Sequence, residues 1–241
     1  MYWEEDKSKD TPIVVPDDVV DVAFRIRARS LPLDHAHALS EALHAMLPWL
    51  ADDPAAGIHL IHGAESGNGW YRPDDPENEV LCPSRRTRLT LRLSAERVGD
   101  AEALGGRTLD IAGHALGVEA GGEVKVLSSL PTLFARYVVA PDPIAGTGGA
   151  DDEQAREEAF LDWAVGELRA LDIGVRKALC GRSHVMRTPS GEIHTRSLML
   201  ADLEPEESVR LQRLGIGPHR RMGCGLFIPH KGIKAVKGDD E

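Results

Sequence analysis

Gly215-Ile216-Gly217-Pro218-His219-Arg220-Arg221-Met222-Gly223-Cys224-Gly225 is the stretch on which the reading of this chain turns. Four glycines stand in two pairs, each split by one apolar residue, and two arginines and a histidine lie in the gap between them. Glycine supplies positive φ and lets another backbone approach closely. Successive free N–H groups in such a loop form an anion-binding concavity, to which arginine adds charge-assisted donors. The stretch follows a helical segment at 204–214 and runs into an apolar strand, Leu226-Phe227-Ile228. It reads either as a cradle for a phosphate backbone or as a tight helix-to-strand turn with solvated arginines.

Periodicity upstream of the loop supplies its context. Thr132 to Ala140 reads as a strand. Residues 151–171 form a helix with the stripe Phe160, Trp163, Ala164, Leu168 and Leu171. Strands at 177–187 and 193–200 are joined through Thr188-Pro189-Ser190-Gly191. With helix 204–214 and a last strand at 224–230, the order is β-α-β-β-α-β. The first half repeats it. Val20, Val22, Phe24 and Ile26 alternate with polar residues in a half-buried strand. Asp34 is a good N-cap for a helix over 35–47, which ends before Pro48. A short strand 58–62 opens into the glycine-containing loop 63–70. Arg86 to Leu93 alternates strictly, Ser94 caps a helix over 95–104, and segments near 109–111 and 123–127 count as one broken strand. The expectation is an α+β chain of two tandem ferredoxin-like (RRM-like) domains, 19–128 and 129–234, between tails at 1–18 and 235–241.

Composition narrows the function classes. The length of 241 residues suits two such domains. No apolar run approaches the ~18 residues of a membrane span, and the acidic start, Met1 to Lys7, is unlike a signal peptide. Cys82, Cys180 and Cys224 are too far apart for a zinc or disulfide framework, so a reducing cytoplasmic setting is expected. A net charge of −11 argues against nucleic acid only if it is averaged over the chain. Arg85 to Arg97 holds five arginines against one glutamate, a local basic footprint on an acidic body.

The glycine stretch, placed just before the final strand of a second β-α-β-β-α-β unit, resembles the signature of the repeat-associated RNA-binding (RAMP) superfamily of CRISPR systems. Leu31-Pro32-Leu33-Asp34-His35-Ala36, Ser84 to Leu93, Ala178-Leu179-Cys180-Gly181-Arg182 and Gly223 to Lys231 resemble its repeat-RNA-processing endoribonucleases of the myxan subtype. The likeness spans about residues 20–233. It implies an enzyme that cuts CRISPR precursor transcripts within each repeat, without a metal or other cofactor. The ribose 2′-OH attacks the adjacent phosphate, leaving a 2′,3′-cyclic phosphate and a 5′-OH. The implied partners are the repeat RNA, as precursor and mature guide, and other subunits of a type I effector complex. A non-catalytic RNA-binding subunit with the same fold is the alternative, and a ferredoxin-like small-molecule domain pair is a third reading.

That chemistry asks for a proton acceptor, a proton donor and cations on the phosphorane. Histidine suits the first two roles. The resemblance places the general base on or just after the first helix, which singles out His35 in the first helical turn and His62 at a strand end, with His37 also in reach of RNA. For RNA binding the candidates are Arg85, Arg86 and Arg88, with Arg92 on the same strip, and Arg182, His184, Arg187 and Arg196 on the hairpin. The loop adds Gly215, Gly217, Arg220, Arg221, Gly223 and Gly225, and Lys231 follows the last strand.

Overall fold

The computed structural model describes residues 14–62, 80–141 and 153–230. Over these residues the chain is a mixed α+β protein with two main sheets, each backed by its own apolar core. In the first, β1 (Val19–Arg27) is central. Its inward residues Val20, Val22, Phe24 and Ile26 are buried, as their alternation requires. β5 (Arg88–Ser94) pairs along β1 from Val19↔Ser94 to Arg25↔Arg88, and β3 (Gly57–His59) lies outside β5. On the other edge of β1, β8 (Glu123–Val126) pairs with Val20 to Ala23, and β7 (His114–Val118) with Ile26 and Arg27. β6 (Thr108–Ile111) lies beyond β7, and every pairing is antiparallel. The helix α1 (Ala36–Met46) buries Ala36, Leu39 and Leu43. A small side sheet joins β2 (Leu31–Pro32) to β4 (Val80–Leu81).

Three local readings are corrected. Segments 109–111 and 123–127 are not one broken strand. β6 and β7 form a hairpin of their own, turning at Ala112 and Gly113, both at positive φ. Two such residues make a tight hairpin turn for which Asn-Gly is the usual sequence signal, and here alanine stands first. The helix expected over 95–104 is a 3-10 turn, a single α turn α2 (Val98–Ala101) and another 3-10 turn. Gly99 inside so short a run weakens it. Neither expected cap works locally. Ser94 Oγ donates to Asp53, and the Asp34 carboxylate accepts from the backbone N–H of Arg187, at 2.8 Å.

The second sheet runs β10-β11-β9-β12, from β9 (Leu133–Val138), β10 (Lys177–Thr188), β11 (Gly191–Ala201) and β12 (Ile228–Pro229). The helix α3 (Glu153–Ala170) buries Phe160, Ala164 and Leu168, as its stripe predicts. α4 (Pro205–Leu214) starts at a capping box between Glu204 and Glu207. The final strand is shorter than expected: only Ile228 and Pro229 pair, while Leu226 and Phe227 are buried ahead of it.

A seam joins the halves, and Arg92 crosses it. Its guanidinium is fully buried, binds Asp21 through two bonds at 2.8 and 2.9 Å, and donates to the carbonyls of Gln212 and Phe227. Arg92 is therefore removed from the basic strip. Its partners are all inside the protein, because only full pairing makes so deep a charge tolerable.

Candidate active site

α1 begins beside the side sheet, and His35 sits at that entry, 3% exposed. The backbone N–H of Ile61 donates to Nε2 at 3.1 Å, which fixes Nε2 as an acceptor and Nδ1 as the protonated nitrogen. Nδ1 donates to the carbonyl of Pro32 at 2.9 Å, with Leu33 O at 3.2 Å. Burial holds the imidazole below its ordinary pKa. Both nitrogens are thus committed to backbone, and His35 ties the chain leaving β3 to the start of α1. The expected general base is instead the support of its neighbour, His62.

His62 stands at the seam, where three elements bring side chains together. Its ring centroid lies 6.2 Å from that of Tyr137 on β9, and Tyr137 lies 5.4 Å, edge-on, from His184 on β10. Burial chiefly, then the positive charge of Arg136, pushes His62 down to about 3. Beneath them, buried Ala36, Met186 and Cys224 pack with Leu60 and Val139. A bulge aims the strand. Between Ala135 and Val138, β9 carries one residue more than β11 does between Arg196 and Leu198. Such an insertion re-aims side chains, and here Arg136 and Tyr137 are both half-exposed while Val138 turns inward.

The glycine stretch braces this group. Gly215 and Gly225 both sit at φ +64, and a Cβ on either would strike the backbone oxygen of Gly225 or Ile216 respectively. Their freedom is used for that close approach. Gly225 N–H donates to Tyr137 O at 2.7 Å, Gly217 lies against Val139 O, and Gly223 lies against Leu60. Arg220 donates to the carbonyls of Leu214 and Ala55, and Arg221 to those of Ala51 and Asp53. The reading of solvated or phosphate-facing arginines is corrected accordingly: the glycines are used for close backbone packing, and both arginines reach carbonyls of the opposite half. Desolvation pulls Arg220 down to about 10, and Arg92 adds to the effect.

Other candidates are dispersed. Arg196 is buried and bonded to Glu153, so it too is withdrawn from the RNA-facing set. His37 lies on the solvent flank of α1, 3.5 Å from Glu41. Arg88 donates to the carbonyls of Arg85 and Thr87, leaving Arg85 and Arg86 exposed at the start of β5. Arg182 is exposed in the β10 bulge, and Arg187 lies near Glu192. Lys231, with the loop 63–70 and the linker 141–150 but for Pro141, lies outside the described residues.

Comparison with known proteins gives the family. The Cas6 family model, described as Cas6 Crispr, matches residues 20–232. This chain belongs to the Cas6 family. It is 32% identical over 211 residues to the CRISPR-associated endonuclease Cas6 of Myxococcus xanthus (strain DK1622), covering 87% of this chain and 81% of that one. Among solved structures it is similar in fold to a CRISPR associated protein Cas6, with TM-score 0.55 and 11% identity over 88% of this chain and all of that one. It is also similar to a RAMP protein described as binding different RNA substrates, with TM-score 0.51 and 12% identity over 87% and 98% of the two chains.

Within this Cas6-family chain, sequence reasoning missed Tyr137 and Arg136. Both sat in a stretch read simply as a strand, and their one signal was a lapse in alternation where polar Arg136 adjoins Tyr137. Among the described residues no group of three or more His, Cys, Asp or Glu is placed to hold a metal ion, and no helix is long and apolar enough to cross a membrane.

Proposed function

We propose that this chain is a metal-independent endoribonuclease that cuts CRISPR precursor transcripts within their repeats. Each half is read as one ferredoxin-like unit, residues 19–128 and 129–234, because each sheet contains the spatial order second, third, first, fourth expected of β-α-β-β-α-β. The observation that carries the reading is the His62–Tyr137–His184 group at the seam of a Cas6-family chain.

In the proposed mechanism His62, neutral at physiological pH, accepts the proton of the 2′-OH. The 2′-oxygen bonds to phosphorus, the bond from phosphorus to the 5′-oxygen breaks, and His184 supplies the proton that the leaving oxygen takes up. The products are a 2′,3′-cyclic phosphate and a 5′-OH. A phosphodiester beside the His62 ring favours its charged form and raises its low pKa toward the working range. Arg136 supplies positive charge near the phosphorane, and Tyr137 orients both rings. The partner is repeat RNA, as precursor and as retained guide, together with other effector subunits in the cytoplasm.

The test is cleavage of the cognate repeat RNA in EDTA, against the same RNA with a 2′-deoxyribose at the scissile nucleotide. The first should be cut to cyclic-phosphate ends and the second should bind uncut. Tight binding with neither RNA cut would make the protein a non-catalytic RNA-binding subunit.

A further inference from the structure

One basic feature is used by none of the seam chemistry. At the end of β1 a cavity of about 530 Å³ opens between the β1–β2 link, residues 83–85 and the β6–β7 turn. Arg27, Arg29, Arg85 and His114 line it, and no carboxylate does among the described residues. Arg27 is held by Glu119 at 2.6 Å, whereas among the described residues Arg29 and Arg85 have no carboxylate in ion-pairing distance. Ser30 and Ser84 add hydroxyls, and Pro83 and Ala28 add apolar wall. His114 Nδ1 is 3.1 Å from Ser30 Oγ, which holds the ring to the wall.

We propose that this cavity binds one nucleotide of the single-stranded RNA flanking the cleaved step. The inference rests on the RNA-processing reading and extends it to a second site. The volume falls within the range of small-ligand pockets. Arg29 and Arg85, with no carboxylate partner among the described residues, suit a phosphate, which guanidiniums contact through paired donors. Serine hydroxyls and an imidazole suit ribose and base edges, which are reachable in single-stranded RNA. The topology aligns the cavity with the seam. β3 and β1 both run antiparallel to β5, so they are parallel to one another and leave the sheet at the same end. His59 stands level with Ala23 through Thr90. Three residues further along each chain come His62 and Ile26, the latter in the cavity wall. Two strand spacings, about 10 Å, separate the two exits, a gap that continuous RNA bridges.

The test is the double variant Arg29→Ala with Arg85→Ala, titrated with repeat RNA carrying its single-stranded flanks, with RNA trimmed to the repeat stem, and with a non-cognate single-stranded oligonucleotide. The variant should lose about tenfold or more in affinity for the flanked RNA. Its salt slope on that RNA should be shallower by about 1.4, the share of two single-strand phosphate contacts. The loss should be smaller on the trimmed stem than on the flanked RNA, which carries the nucleotide that the cavity takes. Equal losses on stem and flanked RNA, or no loss on either, would overturn the proposal. The non-cognate strand keeps the two readings apart. If wild type cuts nothing yet binds that strand through Arg29 and Arg85, the cavity stands and the nuclease reading fails. If that binding ignores both arginines, or is absent, the cavity proposal fails. Tight binding of free mononucleotide with no preference for flanked RNA would also overturn it.

Discussion

At His35 both ring nitrogens are bonded to backbone, and that decides what the side chain does. A ring without a free lone pair takes no proton from a ribose. The same residue at a helix start was open to a catalytic reading from sequence, because what occupies Nε2 is Ile61, twenty-six positions away. His35→Ala should therefore cost about 1–3 kcal/mol of stability through the unsatisfied backbone groups it leaves, measured by urea unfolding, and any loss of cleavage should accompany that loss of order. The pH dependence has a definite sign. Burial lowers the folded pKa of His35, His59 and His62 below the ordinary value of 6.5. Between the folded values and 6.5 the unfolded chain binds more protons, so stability rises with pH in that window. It should be complete above about pH 6.5 and fall as the pH is lowered to 5, less steeply in His35→Gln. Equal unfolding midpoints at pH 5 and 7.5 would contradict this.

The elements were legible where pattern and burial agree. The stripe of α3 and the alternation of β1 predict residues found in the two cores. Legibility stopped where long-range contacts decide. The β9 bulge that aims Tyr137 is a property of its pairing with β11, and within β9 only the lapse in alternation at Arg136 points to it. The glycine stretch was read correctly as a place of close backbone approach, but the partner was wrong. Gly225→Ala should destabilise the fold by about 1–3 kcal/mol from the left-handed conformation alone, with the clash against Ile216 added, and it should slow cleavage by displacing Tyr137. Wild-type stability in that variant, by thermal unfolding, would reopen the loop as a phosphate site. Arg92→Ala should cost about 3–5 kcal/mol, because it breaks the buried guanidinium's pair with Asp21 and strips the carbonyls of Gln212 and Phe227 of their donor. A salt-dependent loss of RNA affinity at unchanged stability would instead return Arg92 to the surface strip.

Across the whole molecule, the two halves are held by arginines that a charge count assigns to RNA. Arg92, Arg220 and Arg221 cross the seam to backbone carbonyl oxygens of the other half. The local runs of arginine therefore overstate the cations free to meet phosphate, and the proposed RNA surface rests on the exposed Arg85, Arg86, Arg29 and Arg182. The seam also divides the proposed chemistry: His62 comes from the first half, and Tyr137 and His184 from the second. The most direct measurement is single-turnover cleavage of cognate repeat RNA in EDTA by wild type, His62→Ala and His184→Ala, with RNA affinity measured alongside. The expected result is a rate loss of ~10²-fold or more in each variant, the range for removing a proton-transfer group, with affinity near wild type. Cleavage by His62→Ala at the wild-type rate would contradict an active site at the seam.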